Sequence, residues 1–185
     1  MNDPEFRNGD YLDGPRRPDN GLALARKLGH ITYLSVESMR RKFDRERRGG
    51  PEQPMTLASD FEVEHYLEHQ GEIFLERFDA LSYIYLTRAM DYFDPFAQAE
   101  LDLARVSTRF LAISFDSDWR FGSEHSRFIH DELRAGGVDA QHIELSSPWG
   151  HDSFLLAGEE YHRVVADALR EPVADVAGAS RPEAT

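Results

Sequence analysis

The chain has 185 residues, of which 41% are hydrophobic and 11% aromatic, enough for one sizeable core. Its 34 acidic and 21 basic side chains give a net charge of -13, which repels phosphate backbones and anionic membrane surfaces. It has no cysteine, no apolar run near the roughly 18 residues of a membrane span, and no signal-peptide core. We therefore expect a cytoplasmic protein that binds neither nucleic acid nor membranes.

Residues 1–20 contain an unusual density of residues that break regular structure. These are Pro4, Gly9, Gly14, Pro15 and Pro18, set among Asn and Asp. The composition predicts an irregular lead-in segment.

Residues 21–105 have helical periodicity. One apolar face comprises Leu22, Leu24, Ala25, Leu28 and Ile31 and continues through Met39 and Phe43 to the break at Gly49-Gly50-Pro51. A second helical stretch runs from Val63 to Phe78, and a third follows Asp79, a candidate N-cap, up to Asp94-Pro95. Such a block of short helices cannot bury its own faces, so we expect it to cover a sheet or to pair with a second copy.

Residues 106–170 have the pattern of an α/β sheet. The run Phe110–Phe115 predicts a strand buried on both faces, and Gln141–Leu145 predicts another. Between them we expect a helix that is capped by Ser123 and ends at Gly136-Gly137, and after them a helix through Tyr161 and Leu169. The order predicts two parallel strands of a larger sheet. We expect the tail, 171–185, to be disordered.

Two loops of this part carry candidate catalytic groups. Asp116 and Asp118 directly follow the first strand, and His151 lies in Gly150-His151-Asp152. In α/β-hydrolase-type sheets a catalytic triad runs in the order Ser, then Asp or Glu, then His, with the last two after late strands. The nucleophile of that series requires Gly-x-Ser-x-Gly or a close variant, and the 185 residues contain none.

Several motifs occur together and in order across most of the chain. They are Gly21-Leu-Ala-Leu-Ala-Arg-Lys-Leu-Gly-His-Ile-Thr-Tyr-Leu-Ser35, Glu37-Ser-Met-Arg-Arg-Lys-Phe43, Phe78-Asp-Ala-Leu-Ser-Tyr83, Ser117-Asp-Trp119 and Gly150-His-Asp-Ser-Phe-Leu155. With them the chain resembles the C-terminal half of the homoserine O-acyltransferases, α/β-hydrolase-fold enzymes of methionine biosynthesis with a helical lid. The resemblance implies the last strands and helices of that fold together with the lid.

The resemblance also implies roles for individual residues. It assigns the triad acid to Asp118, with Asp116 as the rival, and the triad base to His151. Arg26 and Asp152 match residues that hold homoserine, whose carboxylate and ammonium suit a guanidinium and a carboxylate. The alternatives are a solvated helix Arg for Arg26 and a helix cap for Asp152.

Arg120 bears on the acyl donor. The acetyl-CoA users of the family tend to have an apolar residue after Ser-Asp-Trp, whereas chains that resemble the succinyl-CoA users have Arg there, as here. The terminal carboxylate of a succinyl group would pair with this guanidinium. The alternative is an exposed Arg on a loop.

Two further patterns have ordinary explanations. His65 and His69 have the i, i+4 spacing of a helical metal site, but solvated histidines are the commoner case and we expect no metal. A basic stretch could attract CoA phosphates or a polyanion, although a charged helix face accounts for it better because Asp44 and Glu46 interrupt it. Its members are Arg40, Arg41, Lys42, Arg45, Arg47 and Arg48.

The favoured hypothesis is the C-terminal portion of a homoserine O-succinyltransferase, with succinyl-CoA or acetyl-CoA as co-substrate, no cofactor, and a homodimer formed through the lid. Without the nucleophile we expect the chain alone to be inactive. A homoserine O-acetyltransferase, a plain hydrolase, and an inactive remnant that only self-associates remain as alternatives.

Overall fold

The computed structural model describes residues 2–97, 102–156 and 158–170. The chain forms two compact units, Met1–Asp94 with Pro148–Gly150, and Pro95–Ser147 with His151–Thr185. The tail at 171–185, for which disorder is predicted, lies outside the described residues.

The first unit is helical. A short 3-10 helix covers Pro4–Gly9 and is followed by α1 (Asp19–Tyr33), α2 (Val36–Phe43), α3 (Glu62–Arg77) and α4 (Ala80–Asp91). The predicted cap of α4 is confirmed, because the Asp79 side chain accepts the backbone N–H groups of Leu81 and Ser82 at 2.9 and 3.0 Å.

The helix that the sequence pattern predicts from Leu22 through Phe43 is wrong at its centre, where the structure has two helices. Leu34 is extended, and Ser35 is the N-cap of α2, with its hydroxyl oxygen accepting the N–H of Ser38 at 3.0 Å. A serine side chain can satisfy a free helix-terminal N–H, so it favours the start of a helix over its interior.

The core of the first unit draws on the lead-in segment as well as on the helices. Phe6 and Tyr11 are buried with Leu22, Phe74 and Ala80. Tyr11 is only 1% exposed; its hydroxyl donates to the Asp79 carboxylate at 2.7 Å and accepts the N–H of Leu81 at 2.8 Å. The irregular segment therefore supplies two aromatic core residues.

The second unit contains the predicted strand, helix, strand, helix order. It consists of β1 (Phe110–Phe115), α5 (Ser123–Ala135), β2 (Ala140–Leu145) and α6 (Glu159–Arg170), with 3-10 turns at Leu103–Arg105 and Gly150–Phe154, where Gly150 belongs to the first unit. The two strands are parallel and in register from Phe110↔Ala140 to Phe115↔Leu145, as predicted. Because the C-terminal ends of parallel strands lie at one edge, the loops that follow β1 and β2 meet there.

Two details of this unit differ from expectation. Burial of β1 is complete only at its C-terminal end, where Ser114 and Phe115 are 4% and 8% exposed. The N-cap of α5 is Gly122 rather than Ser123, which is the first helical residue. The Ser123 hydroxyl instead accepts from the Ser114 hydroxyl at 2.9 Å, so it is used in packing α5 on the strand.

A second core lies between α5 and the sheet and contains Leu133, Val138 and Ala140.

None of the helices in the described residues has the length and apolar character required to cross a membrane.

Candidate active site

The turn after β1 places the Asp118 carboxylate. One oxygen, Oδ1, accepts the backbone N–H groups of Arg120 and Phe121, each at 3.0 Å. These bonds fix the side chain against its own turn, which leaves Oδ2 directed elsewhere. Asp118 is only 8% exposed, so we expect its second oxygen to accept a hydrogen bond from another side chain.

That partner is His151, which follows β2. The imidazole Nδ1 lies 2.9 Å from Oδ2 of Asp118, in hydrogen-bond distance, and 26% of the side chain is exposed. Because an ionised carboxylate only accepts, the bond places the proton on Nδ1 of the neutral ring. The structure thus brings together the two residues to which the resemblance assigns acid and base.

Two aromatic rings flank the imidazole. The centroids of Phe121 and Phe154 lie 5.1 and 5.5 Å from that of His151. Both rings restrict its rotation and lower the local polarity around the Asp118 pair. Sequence reasoning missed them; Phe121 lies three residues after Asp118 and Phe154 three residues after His151.

Asp116, the rival acid, has different partners. It accepts the N–H of Ser147 at 3.0 Å, and this bond and the Ser146 hydroxyl hold its pKa below the ordinary value. The hydroxyl of Ser117 donates to the backbone carbonyl of Ser147 as well. Asp116 and Ser117 therefore tie the β1 turn to the β2 loop.

A cavity of about 290 Å³ lies beside the pair within the second unit. Its lining is mostly apolar, with Asp118 and His151 among a few polar groups, as is common for small-molecule sites. The other lining residues are Ile113, Ser114, Phe115, Phe121, Ser126, Phe154 and Tyr161.

The remaining predicted site residues occupy separate positions. Arg26 lies on α1 in the first unit, half-buried, with its guanidinium carbon 4.9 Å from the centroid of Phe74. Asp152 follows His151 directly and is half-buried; its backbone carbonyl accepts the N–H of Leu155 at 2.9 Å. Arg120 is exposed, and its guanidinium carbon lies 5.2 Å from the centroid of Phe121.

The patterns with ordinary explanations lie in the first unit. His65 and His69 are exposed on α3, and within the described residues no group of three or more His, Cys, Asp or Glu side chains could hold a metal ion. In the basic stretch, Arg41 pairs with Glu37 and the Lys42 ammonium lies 4.0 Å from the centroid of Tyr66.

Comparison with known proteins connects this geometry to a class of enzyme. No family model matches the chain. A homoserine O-succinyltransferase of Nocardioides sp. is 51% identical over 171 residues, which are 91% of this chain and 46% of the relative. The chain is homologous to one part of the homoserine O-acyltransferases.

Other relatives agree with this homology. A homoserine O-succinyltransferase of Acidithiobacillus ferrooxidans is 49% identical over 173 residues, and a homoserine O-acetyltransferase of Zymomonas mobilis is 45% identical over 169. The chain covers 45% of each, so it spans under half the length of the curated homoserine O-acyltransferases that it matches. This coverage is consistent with a C-terminal portion.

Solved structures identify the fold. The crystal structure of homoserine O-acetyltransferase from Bacillus anthracis matches with a TM-score of 0.74 at 22% identity, over 93% of this chain and 46% of that one. Esterase E22 matches with a TM-score of 0.69 at 22% identity, over 91% and 45%. The architecture is therefore part of the α/β-hydrolase fold.

Proposed function

We propose that the chain supplies the acid and base of a homoserine O-succinyltransferase. The observation that carries the proposal is the 2.9 Å contact between Asp118 Oδ2 and His151 Nδ1. The chain is also 51% and 49% identical to two homoserine O-succinyltransferases over 91% of its length. An imidazole held in one tautomer by a buried carboxylate is the arrangement that nucleophilic acyl transfer requires.

In the proposed reaction a serine hydroxyl attacks the thioester carbonyl of succinyl-CoA. His151 takes the hydroxyl proton through Nε2, the C–S bond breaks, and the proton returns to the thiolate of CoA as it leaves. The homoserine hydroxyl then attacks the acyl-serine, and His151 passes its proton back to the serine. Asp118 stays ionised throughout, stabilising the imidazolium and keeping its orientation.

The serine and the backbone donors for the oxyanion come from outside these 185 residues in this proposal. Two facts support it: the absence of Gly-x-Ser-x-Gly from the sequence, and the more than half of each relative's length that the chain does not cover. We therefore expect no turnover by the chain alone, since the members of a triad act as a unit.

Arg26 and Asp152 are proposed to hold homoserine. A guanidinium can bind the amino-acid carboxylate by two parallel hydrogen bonds, and a carboxylate can bind the ammonium. The position of Asp152, next to the base in the chain, and the half-buried state of both residues support this role.

Succinyl-CoA is the proposed acyl donor. Arg120 supports it, because its guanidinium lies over Phe121, a ring that lines the cavity beside His151. A positive charge there would attract the succinyl carboxylate and has no counterpart in an acetyl group. The acyl-CoA is a co-substrate, so the proposed reaction uses no bound cofactor.

A homodimer formed through the first unit and a cytoplasmic location complete the proposal. Large apolar side chains of α4 support self-association, since Tyr85, Leu86 and Met90 are 69%, 59% and 68% exposed. The cytoplasmic location is proposed because acyl-CoA and homoserine are metabolites of biosynthesis. Self-association without catalysis is the alternative function.

A chimaera tests the activity. In the Nocardioides succinyltransferase, the segment that matches this chain is replaced by the chain itself, and CoA release and O-succinylhomoserine are measured. We expect succinyl transfer by the chimaera and none by the 185-residue chain. Free succinate as the only product would identify a hydrolase, and turnover by the chain alone would refute the missing-nucleophile proposal.

A further inference from the structure

The three residues before His151 are fixed by the start of α2. The backbone carbonyl of Pro148 accepts two hydroxyl hydrogen bonds, one from Ser35 and one from Ser38 at 3.1 Å. Both serines are buried, at 5% and 4% exposure. Buried hydroxyls that converge on one carbonyl fix the position of that carbonyl, because breaking the bonds would leave polar groups unsatisfied.

Gly150 is fitted to the same place. Its φ is +68°, a conformation that favours glycine. A Cβ there would lie 2.6 Å from the Ser35 nitrogen and 2.7 Å from the Tyr33 carbonyl oxygen, both backbone atoms that cannot move aside. The backbone of Gly150 is thus seated against the junction between α1 and α2.

Trp149, between Pro148 and Gly150, makes a third contact, with the side chain of Arg41 on α2. The guanidinium carbon of Arg41 lies 5.5 Å from the centroid of the Trp149 ring, and Arg41 is itself paired with Glu37 one turn earlier. All three residues, Pro148, Trp149 and Gly150, belong to the same compact unit as α1 and α2. Pro148, Trp149 and Gly150 are therefore each held against α2 or the junction between α1 and α2.

We propose that Ser35 and Ser38 are positioning residues for His151. The proposal rests on the proposed function of His151 as the base. His151 is joined to Gly150 by a single peptide bond, so a shift of the anchored carbonyl changes the backbone from which the imidazole projects. An error of about 1 Å in such a group is enough to impair catalysis strongly.

The test separates this role from the capping role of Ser35. Ser35→Asp keeps an N-cap acceptor for the Ser38 N–H but cannot donate to Pro148, and Ser38→Ala removes the second donor. In the double variant of the 185-residue chain, 15N NMR of the His151 ring reports the Nδ1 proton and its exchange with solvent. We expect this exchange to rise about tenfold, as loss of ordinary hydrogen bonds shifts an opening equilibrium.

Three further variants make the result specific. Ser35→Thr keeps both functions and should retain the wild-type ring signals, while Ser38→Ala alone should give an intermediate exchange rate even if the double variant does not fold. Thr87→Ala removes a comparable hydroxyl-to-carbonyl bond within α4, at 2.9 Å, and should leave the His151 signals unchanged.

Unchanged Nδ1 exchange in a folded Ser35→Asp/Ser38→Ala variant, or in Ser38→Ala if the double variant is unfolded, would overturn the proposal. The readout does not depend on turnover, so it stands apart from failure of the proposed acyl transfer. In the chimaera the double variant should lower kcat with little change in KM for homoserine, since it moves the base rather than the substrate anchors.

Discussion

Asp116 and Asp118 lie two residues apart in one turn, yet their carboxylates bind different parts of the protein. Asp118 contacts the imidazole of His151 at 2.9 Å, whereas Asp116 accepts the backbone N–H of Ser147 at 3.0 Å. The first bond orients a candidate base, and the second joins two loops. The two residues can therefore be distinguished by the same substitution.

Asn at the two positions is expected to affect kcat to very different extents. In the chimaera, Asp118→Asn should lower kcat on the order of 10³-fold or more, because the amide offers His151 the wrong partner and does not stabilise the imidazolium. Asp116→Asn should change kcat less than about tenfold. Steady-state CoA release measures both, and a larger loss at Asp116 would make it the acid.

Asp116→Asn should also change how the stability of the protein depends on pH. The pKa of Asp116 is lowered by the Ser147 N–H and the Ser146 hydroxyl, so its stabilising effect is present above the unfolded-state value and is lost as pH falls through the folded-state value. The urea concentration at the unfolding midpoint should therefore decrease less steeply with falling pH in Asp116→Asn than in the wild type, below about pH 4. An acid limb as steep as that of the wild type would contradict this account.

The sequence alone predicted that the loops carrying Asp118 and His151 follow two parallel strands, and the C-terminal ends of such strands lie at one edge of the sheet. Asp118 and His151 were assigned through motifs, and Phe121 and Phe154 were missed since single aromatics in loops have no periodicity. The anchor of Pro148 by Ser35 was also missed. It joins residues 113 positions apart, and no local pattern encodes such a contact.

Tyr11 and Asp79 form the second relationship that can be tested. Tyr11→Phe removes the 2.7 Å bond to Asp79 and the acceptor for the Leu81 N–H, and should lower the free energy of unfolding by about 1–3 kcal/mol. The measurement is urea unfolding followed by far-UV circular dichroism. Tyr85→Phe is the control, because Tyr85 is 69% exposed and should change stability by less than about 0.5 kcal/mol.

The same phenol should make stability fall at alkaline pH. Burial raises the pKa of Tyr11, with the hydrogen bond to Asp79 acting in the same direction. A raised folded-state value means that its contribution is complete below the unfolded-state pKa of about 10 and is lost as pH rises through the folded-state value. Tyr11→Phe should remove this loss of stability. If the substitution leaves the alkaline decrease unchanged, the Tyr11 phenol titrates alike in the folded and unfolded states and the prediction is wrong.

His30 is expected to destabilise the first unit in mild acid. Burial lowers the pKa of His30 to about 4, and the nearby charges of Arg26 and Lys42 add to the effect. Between the ordinary value of 6.5 and about 4, the unfolded chain binds a proton that the folded chain does not, so stability falls as pH falls through this window.

A neutral replacement should remove that dependence. His30→Gln has no titration in the window and can keep a hydrogen bond to the Tyr66 hydroxyl, which lies 3.0 Å from His30 Nδ1. The urea midpoint of the variant should be flatter from pH 6.5 to 4 than that of the wild type. His69→Gln, at an exposed position of α3, should keep the wild-type dependence of the urea midpoint on pH. If His69→Gln flattens it instead, His30 is not the histidine responsible.

The fold was more predictable in its elements than in its packing. Hydrophobic period predicted β1, β2 and the helical stretches. It did not identify the break at Leu34 or the burial of Phe6 and Tyr11. A serine can lie within or before a helix, and an aromatic in an irregular segment is buried only if a distant pocket receives it.

The final prediction concerns the acyl donor and Arg120. In the chimaera, Arg120→Leu should lower the ratio of kcat/KM for succinyl-CoA to that for acetyl-CoA about 10-fold to 100-fold. A hydrogen bond between a guanidinium and a carboxylate contributes about 1.5–3 kcal/mol, and acetyl-CoA has no carboxylate to lose. Arg120→Lys should give a smaller decrease, because it keeps the charge without the paired donors.

Arg134→Leu is the matched control for this change. Arg134 is also an exposed arginine of the second unit, on α5, with its guanidinium 3.9 Å from the Asp139 carboxylate. Its replacement should leave the donor ratio unchanged, which separates a local contact from a general effect of net charge on acyl-CoA binding. If Arg120→Leu lowers kcat/KM equally for succinyl-CoA and acetyl-CoA, Arg120 does not select the succinyl group. The same conclusion follows if the unaltered chimaera uses acetyl-CoA at least as well as succinyl-CoA.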